Sequence, residues 1–359
     1  MTNSLKFKKK ITLIQALRGV AALLVVLAHT DLIFNQNFHR AFLFSLFNFG
    51  GSGVDLFFVI SGFIIFYNHH HDIGDKSKTK LFFIKRIIRI YPLYWIILAT
   101  KLISSFLFNY DVDTSQRNFV EIVKAFLLFP QDRNILSSSF LGVSWTLSFE
   151  MLFYILFGLS IWFKPKFSFL IIMFWLCGII LNFLAITDIS NNLVLDFVFN
   201  LHNLQFFLGC LTAYIFLKSV IKNEKKIILS ALLLYSLSIV NFSYLLRYQE
   251  LRVIVFGIVS ALLIIGLVNL ELKNQINIHN TFIYLGNASY SIYLTHGFFI
   301  NNITKFIYSV KPDIIENIMG INFLGLIIIS ISLVCGCFIY KYLEKPLVVI
   351  TKLIVAKIE

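Results

Sequence analysis

Charge is scarce in this chain. Only 14% of its 359 residues are charged, and only 18 are acidic, where a soluble domain carries about 25% charged residues. With 58% hydrophobic residues and a mean hydropathy of +0.83, that deficit excludes an ordinary soluble domain and points to an integral membrane protein. Cysteine is scarce as well. Cys177, Cys210, Cys335 and Cys337 all lie inside apolar runs, which gives neither a disulfide framework nor a metal site. The triplet His69-His70-His71 reads as a solvated loop run rather than a metal site. Gly50, Gly51 and Gly53 lack the spacing of a nucleotide loop and read instead as contacts for close helix packing.

What charge there is has one dominant sign. The net charge is +13, but the basic residues lie in short connections between apolar runs rather than on one amphipathic face, which argues against nucleic-acid binding. About 20 apolar residues cross a bilayer. On that measure ten spans are expected, at 11–34, 46–67, 87–108, 143–163, 167–186, 200–217, 227–246, 252–270, 281–308 and 318–340. With the N-terminus inside the cell, 22 of the 31 lysines and arginines fall in cytoplasmic segments, as the positive-inside rule asks. Both termini are then cytoplasmic. "KFKKK" precedes an apolar run too long for a signal peptide, so the first helix is expected to stay as an anchor. The longest outer connection, 109–142, contains "FVEIVKAFLLF", too short to span and read as interfacial or re-entrant. With no linker, low-complexity stretch or repeat, the expectation is one all-α membrane bundle over residues 1–359.

Ionisable residues inside apolar runs carry the chemistry. On the first span, "ALRGVAALLVVLAHTD", Arg18 and His29 are eleven positions apart, hence on one helix side and about 16 Å apart along the axis. An intramembrane ionisable group costs about 2.5–3.5 kcal/mol on insertion scales and usually faces a cavity or a partner. The plainer alternative is that Arg18 snorkels to the interface and His29 is a satisfied core histidine. Arg86 and Arg89 open the third span, three apart on one face, with the guanidinium fork suited to phosphates. Asp55 and Glu150 lie in the outer halves of the second and fourth spans, at the expected depth of His29. A carboxylate-oriented histidine can take a proton from a hydroxyl; a helix cap or a structural ion pair is the other reading of Asp55. The ninth span carries a polar stripe, Asn287, Ser289, Tyr290, Tyr293 and His296. In it Ser289, Tyr293 and His296 share a face, for interhelical hydrogen bonding or as accessories to the site.

These residues, in this order, resemble a family. R-x10-H, "GVDLFFVISGF", "RIIRIYPLYW", "SWTLSFE", "LGNASYSIYLTH" and "YKYLEKPL" together look like the integral-membrane acyltransferase family 3, bacterial proteins that O-acylate cell-surface polysaccharides. The resemblance runs from Arg18 to Pro346. It implies an acyl donor, usually acetyl-CoA, arriving from the cytoplasm, and no metal. It also implies an acceptor such as O-antigen or other lipopolysaccharide, capsule, exopolysaccharide or a lipid-linked precursor, and residence in the bacterial inner membrane. The family's arginine–histidine pair matches Arg18 and His29, its paired arginines Arg86 and Arg89, and its acid Glu150. Asn287 departs from the acid often found there. Some relatives carry an appended hydrolase-like domain, which is not expected here. The expectation is that Arg18, Arg86 and Arg89 hold the anionic head of coenzyme A. His29, oriented by Glu150 or Asp55, then serves a sugar hydroxyl, by direct transfer or through an acyl-enzyme. The rival reading is a multispan transporter or flippase of a polysaccharide precursor, with the same charges lining a pathway. Arginines at the entrance and an acid–base group deeper favour the enzyme.

Overall fold

A computed structural model describes residues 11–107, 119–130, 141–187, 189, 191–219, 221–273, 276–310 and 318–356. All of its regular structure, among the described residues, is helical. The long helices are α1 (Thr12–Phe38), α2 (Ser52–His69), α3 (Lys76–Leu107), α5 (Ser144–Trp162), α6 (Pro165–Phe183), α8 (His202–Lys218), α9 (Glu224–Val240), α11 (Gln249–Leu272), α12 (Asn280–Val310) and α13 (Ile318–Ile339). Short helices α4 (Phe119–Phe126), α7 (Leu193–Val198) and α10 (Phe242–Arg247) lie in connections. A π-helical turn, Tyr340–Glu344, joins α13 to α14 (Lys345–Ala356).

Every expected span falls on one of the long helices, and seven helical segments are long and apolar enough to cross a membrane. The other three differ for identifiable reasons. Helix α3 begins in the basic stretch "KSKTK", well before residue 87, because lysine and serine sustain a helix that solvent can cover. Helix α9 stops at Asn241 after 17 residues and the chain restarts as α10. Helix α12 carries the polar stripe. Helices α6 and α9 present exposed apolar side chains, among them Phe169, Phe174, Leu229 and Leu233, as surfaces meant for lipid do.

Successive long helices run in opposite directions, which gives the bundle two ends. The proximal end holds the start of α1 and the connections at 70–75, 163–164 and 276–279; the distal end holds 119–130, 184–201 and 241–248. At the proximal end Glu271 caps α1, accepting from the Thr12 and Leu13 amides at 2.8 and 3.0 Å, donors a helix start leaves unpaired. Close crossings rest on missing side chains. A Cβ at Gly53 would stand 2.4 Å from the Ala21 carbonyl oxygen, and one at Gly50 2.2 Å from that of Leu24, so α2 and the turn before it lie directly on α1 as the glycine pattern suggested. Gly51 makes no such approach.

The segment read as re-entrant or interfacial is α4. Its last carbonyls meet α3 halfway along that helix. Tyr94 OH donates to Ala125 O at 2.7 Å, Trp95 Nε1 to Phe126 O at 2.9 Å and Tyr91 OH to Leu127 O at 3.0 Å. Helix ends away from water need such partners. The aromatic run "YPLYW" supplies three.

Candidate active site

Five helices converge on a cavity of about 760 Å³, counting its mouth. Arg18 enters from α1, Ser61 from α2, Arg89 from α3, Thr146, Glu150 and Tyr154 from α5, and Ser289, Tyr290 and Tyr293 from α12. The rest of the wall is apolar, with Phe57, Phe58, Ile60 and Leu147. The polar lining residues of α5, Thr146, Glu150 and Tyr154, recur every four positions, so they stand one above another on a single face.

The charged groups are tied together. Glu150 accepts from Ser61 Oγ at 3.2 Å and from Tyr154 OH. Glu344, from the π-turn, accepts from Ser291 Oγ at 2.5 Å. Arg18 and Arg89 both lie within electrostatic reach of Glu150 and Glu344. Two guanidinium groups thus share the interior with two carboxylates, and opposite charge nearby helps charge persist there. Tyr293 OH lies 3.0 Å from Thr146 Oγ1, which donates to Val143 O at 2.9 Å. The threonine proton is therefore committed, and Tyr293 is the donor between them. Tyr290 OH donates to Ile90 O at 2.7 Å, fastening α12 to α3 beside Arg89. Ser289 Oγ is buried on the wall with no hydrogen-bond partner among the described residues.

Arg86 does not line this cavity. Its Nη2 lies 2.9 Å from His69 Nε2, and His69 Nδ1 lies 2.7 Å from Asp72 Oδ2. Arginine only donates, so Nε2 is the acceptor and the proton sits on Nδ1, toward Asp72. The guanidinium also packs near the Tyr154 ring, 5.7 Å from its centroid. His69 of the histidine triplet is thus a half-buried link in a chain at the proximal end rather than part of a solvated run.

His29 does not line the cavity either; it stands one layer away. Its ring meets that of His296 edge to face at 4.9 Å, and His296 meets Tyr293, on the cavity wall, at 5.8 Å. His29 Nδ1 lies 3.0 Å from Val25 O, and His296 Nδ1 lies 2.8 Å from Tyr293 O. Carbonyls only accept, so both Nδ1 atoms carry the proton and both Nε2 atoms carry the lone pair. His296 Nε2 is buried with no hydrogen-bond partner among the described residues. The group orienting His29 is its own helix, not Glu150 or Asp55. Glu150 belongs to the arginine cluster. Asp55 accepts from Gln205 Nε2 at 2.6 Å, which also donates to Val253 O at 2.8 Å, so Asp55 ties α2 to α8 and α11.

The sequence pattern thus leads to Arg18, Arg89, Glu150, Ser289 and Tyr293 in one cavity and to His29 with His296 behind it. It leaves out Glu344, Tyr154 and Ser61. The acid in "YLEKP", at the end of an apolar helix, was the available signal for Glu344.

The family model for the acyltransferase domain, acyltransferase family 3, matches residues 11–342. The exopolysaccharide production protein ExoZ of Rhizobium meliloti (strain 1021) is 31% identical over 277 residues, 72% of this chain and 79% of that protein. Protein 2 in the picA locus of Rhizobium radiobacter is 34% identical over 92 residues, 25% of this chain and 44% of that protein. No solved structure matches the chain significantly.

Proposed function

Since the chain belongs to acyltransferase family 3 and is a multi-pass membrane acyltransferase, we propose that it moves an acyl group, acetyl foremost, from acyl-coenzyme A to a sugar hydroxyl. The acceptor is a cell-surface polysaccharide, of the exopolysaccharide kind named for its rhizobial relative, or its lipid-linked precursor. The bundle crosses the bacterial plasma membrane ten times, with both termini and the proximal end cytoplasmic. That orientation is supported by the basic residues gathered in the proximal connections.

The observation that carries the reading is the convergence of Arg18 and Arg89 on an interior cavity beside a pair of lone-pair imidazoles. The donor enters from the proximal end. Arg18 and Arg89 hold its anionic groups or its polarised thioester oxygen, and Arg86, fixed by His69, stands at the approach. The acyl group passes Tyr293 to reach His29. His29 Nε2 takes the proton of the sugar hydroxyl, whose oxygen attacks the thioester carbon. The carbon–sulfur bond breaks, and the imidazolium returns the proton to the departing thiolate. Such base assistance is worth about 10²–10⁴ in rate.

The test uses membranes carrying the protein, radiolabelled acetyl-CoA and de-O-acylated exopolysaccharide. Label moves into polymer with the wild type. His29→Ala stops the transfer while the protein remains in the membrane. Arg89→Ala raises the KM for acetyl-CoA. Full activity in His29→Ala overturns the base assignment, and no label in polymer with the wild type overturns the reaction.

A further inference from the structure

A second recess opens at the distal end, of about 1580 Å³ including the solvent at its opening. It is built unlike the first. Trp145, Phe149 and His202 form an aromatic cluster with ring centroids 5.5 to 5.9 Å apart. Asp196, Asn200 and Glu250 bring polar groups to the same walls. Asn200 Oδ1 accepts from both the His202 amide at 3.1 Å and His202 Nδ1 at 2.8 Å. Its acceptor is committed to fixing that ring, and its NH₂ donors remain for a ligand. Flat ring faces beside carboxylates and carboxamides are what a chain of pyranose rings requires. Its C–H faces need apolar surface, and its hydroxyls need paired acceptors and donors.

Its position matters as much as its chemistry. Helix α5 is the wall between the two spaces. Thr146, Leu147 and Glu150 face the inner cavity, while Trp145, Ser148 and Phe149 face the distal recess. Phe58 lines the inner cavity and meets Trp145, Phe149 and His202 at 6.3, 6.0 and 6.2 Å. One aromatic layer therefore separates them. The network of Asp55 and Gln205 holds Val253 in the floor of the recess.

We infer that this distal recess is the binding site of the acceptor glycan. Trp145, the partly exposed ring of a cluster whose Phe149 and His202 are buried behind it, stacks on a sugar ring, and Asp196 and Glu250 accept hydrogen bonds from the glycan's hydroxyls. The inference rests on the acyl-transfer reading and adds where the acceptor docks, opposite to the donor's entry.

The test pairs Asp196→Asn with Glu250→Gln in one variant, since Glu250 is exposed, Asp196 is only half-buried and both substitutions keep the side-chain shape. In the labelling assay, the KM for de-O-acylated exopolysaccharide rises roughly tenfold or more, as loss of charge-assisted hydrogen bonds implies. The KM for acetyl-CoA and the melting temperature of the purified protein stay as in the wild type. Trp145→Phe, which keeps a ring, retains more acceptor affinity than Trp145→Leu. An unchanged acceptor KM, an equal rise in donor KM, or equal behaviour of the two Trp145 variants overturns the inference. A recess filled by lipid gives the first of these outcomes. Absence of transfer by the wild type instead removes the reading beneath it.

Discussion

Replacing Gly286 by alanine puts a methyl group where there is no room. A Cβ there would lie 1.7 Å from the Gln15 carbonyl oxygen, at the crossing of α1 and α12. Even close C–H···O contacts keep carbon and oxygen about 3.3 Å apart, so the two helices must part locally by roughly 1.5 Å. A gap of 0.5–1 Å already forfeits about a quarter to a half of a contact's dispersion energy. Overpacking of this kind costs about 1–3 kcal/mol, or a drop of roughly 2–6 °C in melting temperature. Function suffers more than stability, because Arg18 stands three residues from Gln15 while Ser289 stands three from Gly286, and both line the cavity. Gly297 is the control on the same helix. Nothing lies within 4 Å of a Cβ there, so Gly297→Ala gains helix propensity, about 1 kcal/mol. Differential scanning of both variants in detergent, with acyl transfer measured alongside, checks this. Equal melting temperatures, or full activity in Gly286→Ala, would refute the packing argument.

Glu344→Gln removes one of the two carboxylates near Arg18 and Arg89. A larger fall in transfer is expected than Ser291→Ala causes, since the carboxylate lies within electrostatic reach of both arginines; equal effects would show that it merely accepts from Ser291. At the proximal end, hydrogen bonds from Lys273 hold the Glu224 carboxyl below its usual range, and those from Ser77 do the same for Asp75. A carboxyl depressed in the folded state contributes stability above its unfolded pKa, about 4, and loses it as pH falls through the folded value. The double variant Asp75→Asn, Glu224→Gln should therefore show a shallower acid decline in melting temperature than the wild type, and identical slopes would contradict the assignment.

The helices were legible because each needs a long apolar run, and the arginine–acid cluster because charge inside such a run has few destinations. What escaped depended on side-chain reach and on backbone irregularity. Arg86 and Arg89, three apart, leave the helix about 60° apart; that suffices to send one guanidinium to the cavity and the other to His69. The orientation of His29 invited a search for a carboxylate, yet a histidine in a helix can bond the carbonyl four residues back, as Val25 shows. Asp55 meets Gln205, 150 positions away, a pairing no local pattern encodes. Glu344 reaches the arginines from a π-turn, which no 3.6-residue periodicity anticipates.

Because α4 ends against the middle of α3, its seat and the cavity share one stretch of backbone. Arg89 points inward from the same two turns whose Tyr91, Tyr94 and Trp95 grip α4 from the other side. The short helix therefore cannot be tilted without leverage on the guanidinium. A bend begun near the distal face is delivered within two turns to a guanidinium on the cavity wall.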